Sequence, residues 1–280
     1  MAYSLPTELD AALSLLRDSA PQIMAGGTDI YPAMKPGSQP AAYLDITRIQ
    51  GFSDISQTDA GTRIGAAVTW SDIVKADLPP AFDALKQAAR EVGSLQIQNA
   101  GTVAGNICNA SPAADGVPAL LALDAQVEMA SAARGTRLLP LSAFIKGVRQ
   151  TALADDELVT AITVPKLPDG MVSGFEKQGS RRYLVISIAM TAANVLLDSE
   201  GRIAEARIAV GSCSAIAQRL TALEGDLIGV EPDRIEIKQE HLTPLTPIDD
   251  VRGTAAYRLK AVEHQIHRAI QKAAQARTNQ

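Results

Sequence analysis

Two stretches of the chain put small residues where a bound group would meet main chain rather than side chains. The first is Ala25-Gly26-Gly27-Thr28-Asp29, preceded by Ile23 and Met24 and followed by Ile30. The second runs from Gly101 through Thr102, Val103, Ala104 and Gly105 to Asn106. Consecutive glycines let successive N–H groups turn toward one point, and a helix starting just beyond adds partial positive charge; both favour an anion such as a pyrophosphate. Thr102, Asn106 and Ser111 add hydroxyl and amide groups, and Asp115 adds a carboxylate acceptor. The two loops lie about 75 residues apart and contain no Lys or Arg, so an anion held between them would rest on backbone dipoles. Each also has a structural reading: a two-glycine turn after a strand, and a tight loop whose Asn106 and Asn109 satisfy backbone groups. Neither matches the GxGxxG or Walker patterns.

Other chemistry is sparse. Cys108 and Cys213 are far apart, and His241, His264 and His267 do not converge on them, so neither a zinc nor an iron–sulfur site is indicated. His264 and His267, three apart beside Glu263, read as a solvated helix face. No Ser/His/Asp or Cys/His set stands out. Apolar residues make up 46% and charged residues 20%, enough for a packed core, which excludes a disordered chain. The net charge of −5, the lack of a basic block and the 4% aromatic content argue against nucleic-acid binding. The first 22 residues carry Glu8, Asp10, Arg17 and Asp18 through their apolar stretch, which fits neither a signal peptide nor a membrane span. A cytoplasmic protein with reduced thiols is the expectation.

The elements that must position these loops follow from periodicity. Thr7 and Asp10 suggest a helix start, Leu9, Leu13 and Leu16 share one face, and Pro21 is the expected stop. Ile23 to Ala25 read as a strand running into the first loop, IYPAMK as a helical segment, and Tyr43 to Ile46 as another strand. ISQTDAGTRIGAAV suggests a hairpin with its turn at Gly61. Helices are expected at Trp70 to Lys75, capped by Thr69 or Ser71, at Ala81 to Val92, and at Gly116 to Leu123. AQVEMA and DELVTAITVP read as strands. KLPDGM, residues 166 to 171, is the best linker. Beyond it a hairpin turns at Asp198 to Gly201, and a final helix aligns Ala255, Leu259, Val262, Ile266 and Ala269. This order suggests an α+β chain with two domains.

MAGGTDIYPAMK and IQNAGTVAGNICNASPAADGVPALLALDAQVEM resemble the FAD-binding subunit of the molybdenum hydroxylases. That family includes the medium subunit of aerobic carbon monoxide dehydrogenase and the flavin domain of xanthine dehydrogenase. The similarity continues through FEKQGSRR to DDVRGTAAYRLKAVEHQIHRAI, and only about 220 to 245 offers little to match. It implies a two-subdomain FAD-binding fold of the PCMH or vanillyl-alcohol-oxidase type over 1–166, with subdomains of about 1–50 and 51–166. A smaller carbon monoxide dehydrogenase flavoprotein-like domain, a short antiparallel sheet with helices, is implied over 171–280. It also implies non-covalent FAD with its pyrophosphate between Ile23 to Ile30 and the Gly101 to Asn106 loop. In the same way Asp115 corresponds to an acidic residue on the ribityl or adenosine side, Val159 to an aliphatic residue against the flavin, and Lys177 to the lysine of a K-x-x-x-R-R pattern. Tyr183 would lie near the ring, while Arg181 and Arg182 suit either a phosphate or acids at a domain interface.

The implied partners are a molybdopterin-containing large subunit and a small subunit with two [2Fe–2S] clusters, with NAD, a quinone or oxygen as electron acceptor. Three departures stand out. Ala104 replaces the first of two loop glycines; Tyr183-Leu184-Val185 stands where relatives often carry Asp-Ile-Ala; and no extra iron–sulfur insertion is present. Two other readings share the loops. A stand-alone flavin oxidase needs a base or a covalent flavin link, and with no His before His241 only Cys108 offers one. A non-enzymatic dinucleotide-binding protein needs neither.

Overall fold

The computed structural model describes residues 2–34, 37 and 40–278. Three parallel strands open it, with Ala42–Asp45 between Ala2–Ser4 and Gln22–Met24. Parallel order needs a crossover, and helix Leu9–Ser19 supplies it, burying Ala12, Leu13 and Leu16. Thr7 does not cap this helix: its carbonyl accepts the Gln50 N–H, and the N-cap is Glu8, with no side-chain cap bond. The helix stops at Ala20, in the left-handed conformation at φ 42°, one residue before Pro21. IYPAMK forms helix Ile30–Ala33, and Lys35 lies outside the described residues.

A five-stranded antiparallel sheet follows, in the order Ile55–Thr58, Gly61–Gly65, Glu157–Pro165, Gln126–Ser131, Gly135–Pro140. The hairpin turns at Asp59-Ala60, and Gly61 takes φ +135° where its partner strand passes. Between its second and later strands the chain runs through helices Trp70–Lys75, Asp83–Glu91, Leu95–Ala100, Val103–Asn109 and Gly116–Ala122. Thr69 and Asp72 form a capping box on the first of these, which settles the cap in favour of Thr69.

Strands Val172–Gln178, Ala189–Leu197, Ile203–Gly211 and Gln218–Arg219 make a four-stranded antiparallel sheet covered by the long helix Ala255–Thr278. Period-two alternation divides its central strand between two cores. Ala189, Ala193 and Val195 pack with Val262, Ile266 and Ile270 of the long helix. Met190 and Ala192 belong instead to the core built on the preceding helices. Polar ties reinforce that second contact: Asn194 Nδ2 donates to the Ala81 carbonyl at 2.8 Å, and Ser173 Oγ accepts the Ala84 N–H at 2.8 Å. The architecture is α+β, a two-part N-terminal region followed by a smaller sheet-and-helix unit. No helix among the described residues is long and apolar enough to cross a membrane.

Candidate functional site

The two glycine-bearing loops meet. The first leaves strand Gln22–Met24, turns at Gly27 with φ +67°, and is closed by the Ile30 N–H on the Gly27 carbonyl. The second links helix Leu95–Ala100 to helix Val103–Asn109 through Gly101 and Thr102. Thr102 Oγ1 caps the latter helix by accepting the Gly105 N–H at 3.0 Å. Residues 68–70 clamp this loop: the Val103 N–H reaches the Val68 carbonyl at 3.0 Å, and the Trp70 N–H reaches the Gly101 carbonyl at 3.1 Å. Gly26 lies so close to the Ala100 carbonyl and Gly101 Cα that a Cβ there would collide with both.

A cleft of about 540 Å³ opens along this junction. Ile23, Ala25, Gly26, Gly27, Thr28, Asp29 and Ile30 form one wall, and Gly101, Thr102, Ala104, Gly105 and Asn106 another. Val159 and Leu158 close it from the central strand of the five-stranded sheet. Trp70, Ile46, Val92, Ile97 and Leu153 complete an apolar surface that the sequence reading missed. The one available signal was Trp70, the chain's single tryptophan, directly after the Thr69 cap. Gly116 makes room for its indole, since a Cβ there would overlap the ring.

Two features mark the cleft as a binding site. Asn106 Oδ1 is buried on its wall without a hydrogen-bond partner, a costly arrangement unless a ligand completes it. Among the described residues, the N–H groups of Gly27, Thr28, Asp29 and Ala104 meet no protein acceptor. Among the described residues, Asp29 and Cys108 are the titratable side chains lining it. Burial pushes the Cys108 thiol up to about 12, so it stays protonated and is a poor nucleophile.

Residues 1–167 match the family described as the FAD binding domain in molybdopterin dehydrogenase, and residues 175–273 match the CO dehydrogenase flavoprotein C-terminal domain. The chain belongs to the FAD-binding family of the molybdopterin dehydrogenases. It is 32% identical over 274 residues to the nicotine 6-hydroxylase medium subunit of Paenarthrobacter nicotinovorans, covering 96% of this chain and 95% of that one. It is 31% identical over 282 residues to the 6-hydroxypseudooxynicotine dehydrogenase complex subunit alpha of the same organism, covering 97% and 93%. Its fold matches carbon monoxide dehydrogenase from Hydrogenophaga pseudoflava with a TM-score of 0.86 at 27% identity, covering 99% and 98%. As a member of this family the chain is an FAD-binding oxidoreductase subunit. The cleft's neutral backbone donors suit the cofactor's pyrophosphate, its apolar walls suit the rings, and the unpartnered Asn106 carboxamide oxygen suits a donor of the cofactor.

Six residues suggested by sequence do not line this cleft. Met24 faces Gly27, Val103 is buried in the core, and Ser111 Oγ accepts the Ala113 N–H. Asp115 and Lys177 pair with each other at 2.7 Å, their side chains only 10% and 7% exposed. Ser187 Oγ donates to the other Asp115 oxygen at 2.5 Å, and Lys177 Nζ also reaches the Glu91 carbonyl at 3.0 Å. Burial pushes the Asp115 carboxyl up, against the pull of Lys177 and Ser187. Tyr183 is 63% exposed, with the Arg182 guanidinium 5.4 Å above its ring. Arg181 donates to the Leu184 carbonyl, and neither arginine pairs with an acid among the described residues.

Asp226, Glu240 and His241 come together at metal-ligand spacing. His241 Nδ1 accepts the Lys238 N–H, which puts the ring proton on Nε2, facing Asp226 at 3.2 Å. Lys238 Nζ holds the same Asp226 oxygen at 2.9 Å, so the cluster is satisfied as it stands.

Proposed function

We propose that the chain is the electron-exit subunit of a molybdenum hydroxylase. It would take electrons from a [2Fe–2S] small subunit, after substrate oxidation at a molybdopterin-containing large subunit, and pass them to NAD, or to a quinone or oxygen. FAD supplies the redox chemistry, accepting electrons singly and releasing them as a pair. The chain's own residues bind and orient it: the loops of Ala25 to Asp29 and Gly101 to Asn106 hold phosphates through backbone N–H groups, and Trp70, Leu158 and Val159 exclude water from the apolar end. Residues 1–166 would form the cofactor domain and 171–280 the second domain, acting in the cytoplasm.

The observation that carries this reading is the lining of the cleft. Among the described residues, Asp29 and a protonated Cys108 are the titratable side chains that line it, which supports an electron carrier over a stand-alone oxidase with its own base. The protonated thiol likewise supports non-covalent retention of the cofactor. The purified chain should show a flavin spectrum, release all its FAD on denaturation and oxidise no substrate until partner subunits are added. Flavin left on the denatured chain, or turnover by the chain alone, would reverse the assignment. Colourless protein that takes up no added FAD would favour a non-enzymatic role.

A further inference from the structure

The strand Glu157–Pro165 is irregular where it reaches the cofactor cleft. It pairs with Gln126–Ser131 in two runs, Glu157 to Val159 and Ala161 to Thr163, and Thr160 is the extra residue between them. A bulge of this kind changes the face that the strand presents on one side of it. Leu158 and Val159, which close the cleft, lie before it; Ile162 and Val164, buried in the core, lie after it. The Thr160 carbonyl accepts the N–H of Ala66, which also lines the cleft, at 3.0 Å. The bulge therefore ties together two segments of the apolar wall.

Three side chains hold the bulge from behind the wall. Thr160 is only 2% exposed, and its Oγ1 donates to Glu128 Oε1 at 2.6 Å. Arg63 Nη2 donates to the same Glu128 oxygen at 2.8 Å and to the Thr160 carbonyl at 3.4 Å, closing a ring across three neighbouring strands. Burial pushes the Glu128 carboxyl up, but Arg63 and Thr160 outweigh it and hold the group below its usual range. The acceptor of the Thr160 hydroxyl is thus a charged carboxylate at neutral pH, and a bond of that kind is short and strong. A regular strand would need no such ring, whereas a bulge kept at one residue does.

We propose that Thr160 and Glu128 are positioning residues for the flavin end of FAD: their bond fixes the bulge, and the bulge fixes Leu158 and Val159 against the rings. This rests on the cleft being the FAD site. Without the bond the apolar wall shifts and water enters, which favours the charged, reduced flavin over the neutral, oxidised one. The test is the two-electron midpoint potential of the FAD-loaded full chain, measured beside FAD affinity and thermal midpoint. Thr160→Val keeps the shape but removes the donor; it should bind reduced FAD about tenfold more tightly relative to oxidised FAD, a rise of about 30 mV. Thr160→Ser keeps the hydroxyl and should stay at the wild-type potential. Glu128→Gln should raise the potential by less, and adding it to Thr160→Val should bring no further rise, since both act through one bond. Lower thermal midpoints with an unmoved potential in Thr160→Val and Glu128→Gln would make the ring merely structural and overturn the proposal. An equal rise in Thr160→Ser and Thr160→Val would overturn it too. If Thr160→Val does not fold, a rise in Glu128→Gln against none in Thr160→Ser supports the proposal, and no rise overturns it. Wild-type chain that takes up no FAD overturns the reading of the cleft itself, an outcome distinct from wild-type chain that binds FAD and variants that match it.

Discussion

The α-carbon of Gly26 rests against the carbonyl of Ala100, and this contact joins the two loops that wall the cofactor cleft. No side chain fits between them. Gly26→Ala must therefore push the loops apart along backbone, where nothing can rotate away. FAD affinity should fall at least tenfold, and the apoprotein should lose about 1–3 kcal/mol from overpacking. Flavin fluorescence titration and urea unfolding read the two effects; unchanged FAD affinity would mean that the contact does not shape the site.

Asn106 offers the reverse separation. Its Oδ1 is unsatisfied in the protein alone, so Asn106→Ala should leave apoprotein stability equal or slightly higher. FAD binding should weaken about tenfold, or about 1.4 kcal/mol. Apoprotein stability falling as much as FAD affinity would mark Asn106 as merely structural.

The buried Lys177–Asp115 pair predicts a large one-sided loss. Lys177→Met leaves Asp115 with Ser187 alone and should cost about 3 kcal/mol at pH 7. Adding Asp115→Asn should recover part of it. In the single variant the folded chain holds a proton on Asp115 that the unfolded chain releases, so the deficit should shrink as pH falls. Denaturant titrations at pH 5 and pH 8 check the sign.

Glu157 starts the strand that carries Leu158 and Val159 into the cleft. Arg137 grips both its oxygens, at 2.6 and 2.7 Å, and holds its carboxyl down to about 2 from 4.5. That contribution is complete above the unfolded value and is lost as pH falls from about 4.5 toward about 2. With Arg137 partly exposed, a loss of about 2 kcal/mol over this window is expected. Glu157→Gln should be less stable at pH 7 and lack this part of the acid dependence. Urea midpoints across the pH range would expose a shared acid limb, which would remove Glu157 from the account.

Much of this was legible because the signals were local. The Thr69-x-x-Asp72 box, the hairpin closed at Gly61 and the stripe of the last helix each lie within a few turns of chain, and each formed as read. The first helix starts at Glu8 rather than Thr7, and the Thr7 carbonyl accepts the N–H of the distant Gln50. Asp115 and Lys177 stood out through a family pattern, but their mutual bond spans 62 positions and has no local signature. The small-residue composition of the two loops was visible in sequence; that Gly26 and Ala100 touch was not.

The central strand of the C-terminal sheet has no face for water, since one set of its side chains serves the long helix and the other the preceding helices. The chain is therefore continuous oil across the stretch 166–171, despite the break in sequence texture there. A fragment beginning at Val172 would bare Phe175, Met190 and Ala192 together. Heating the intact chain should melt both halves in one transition.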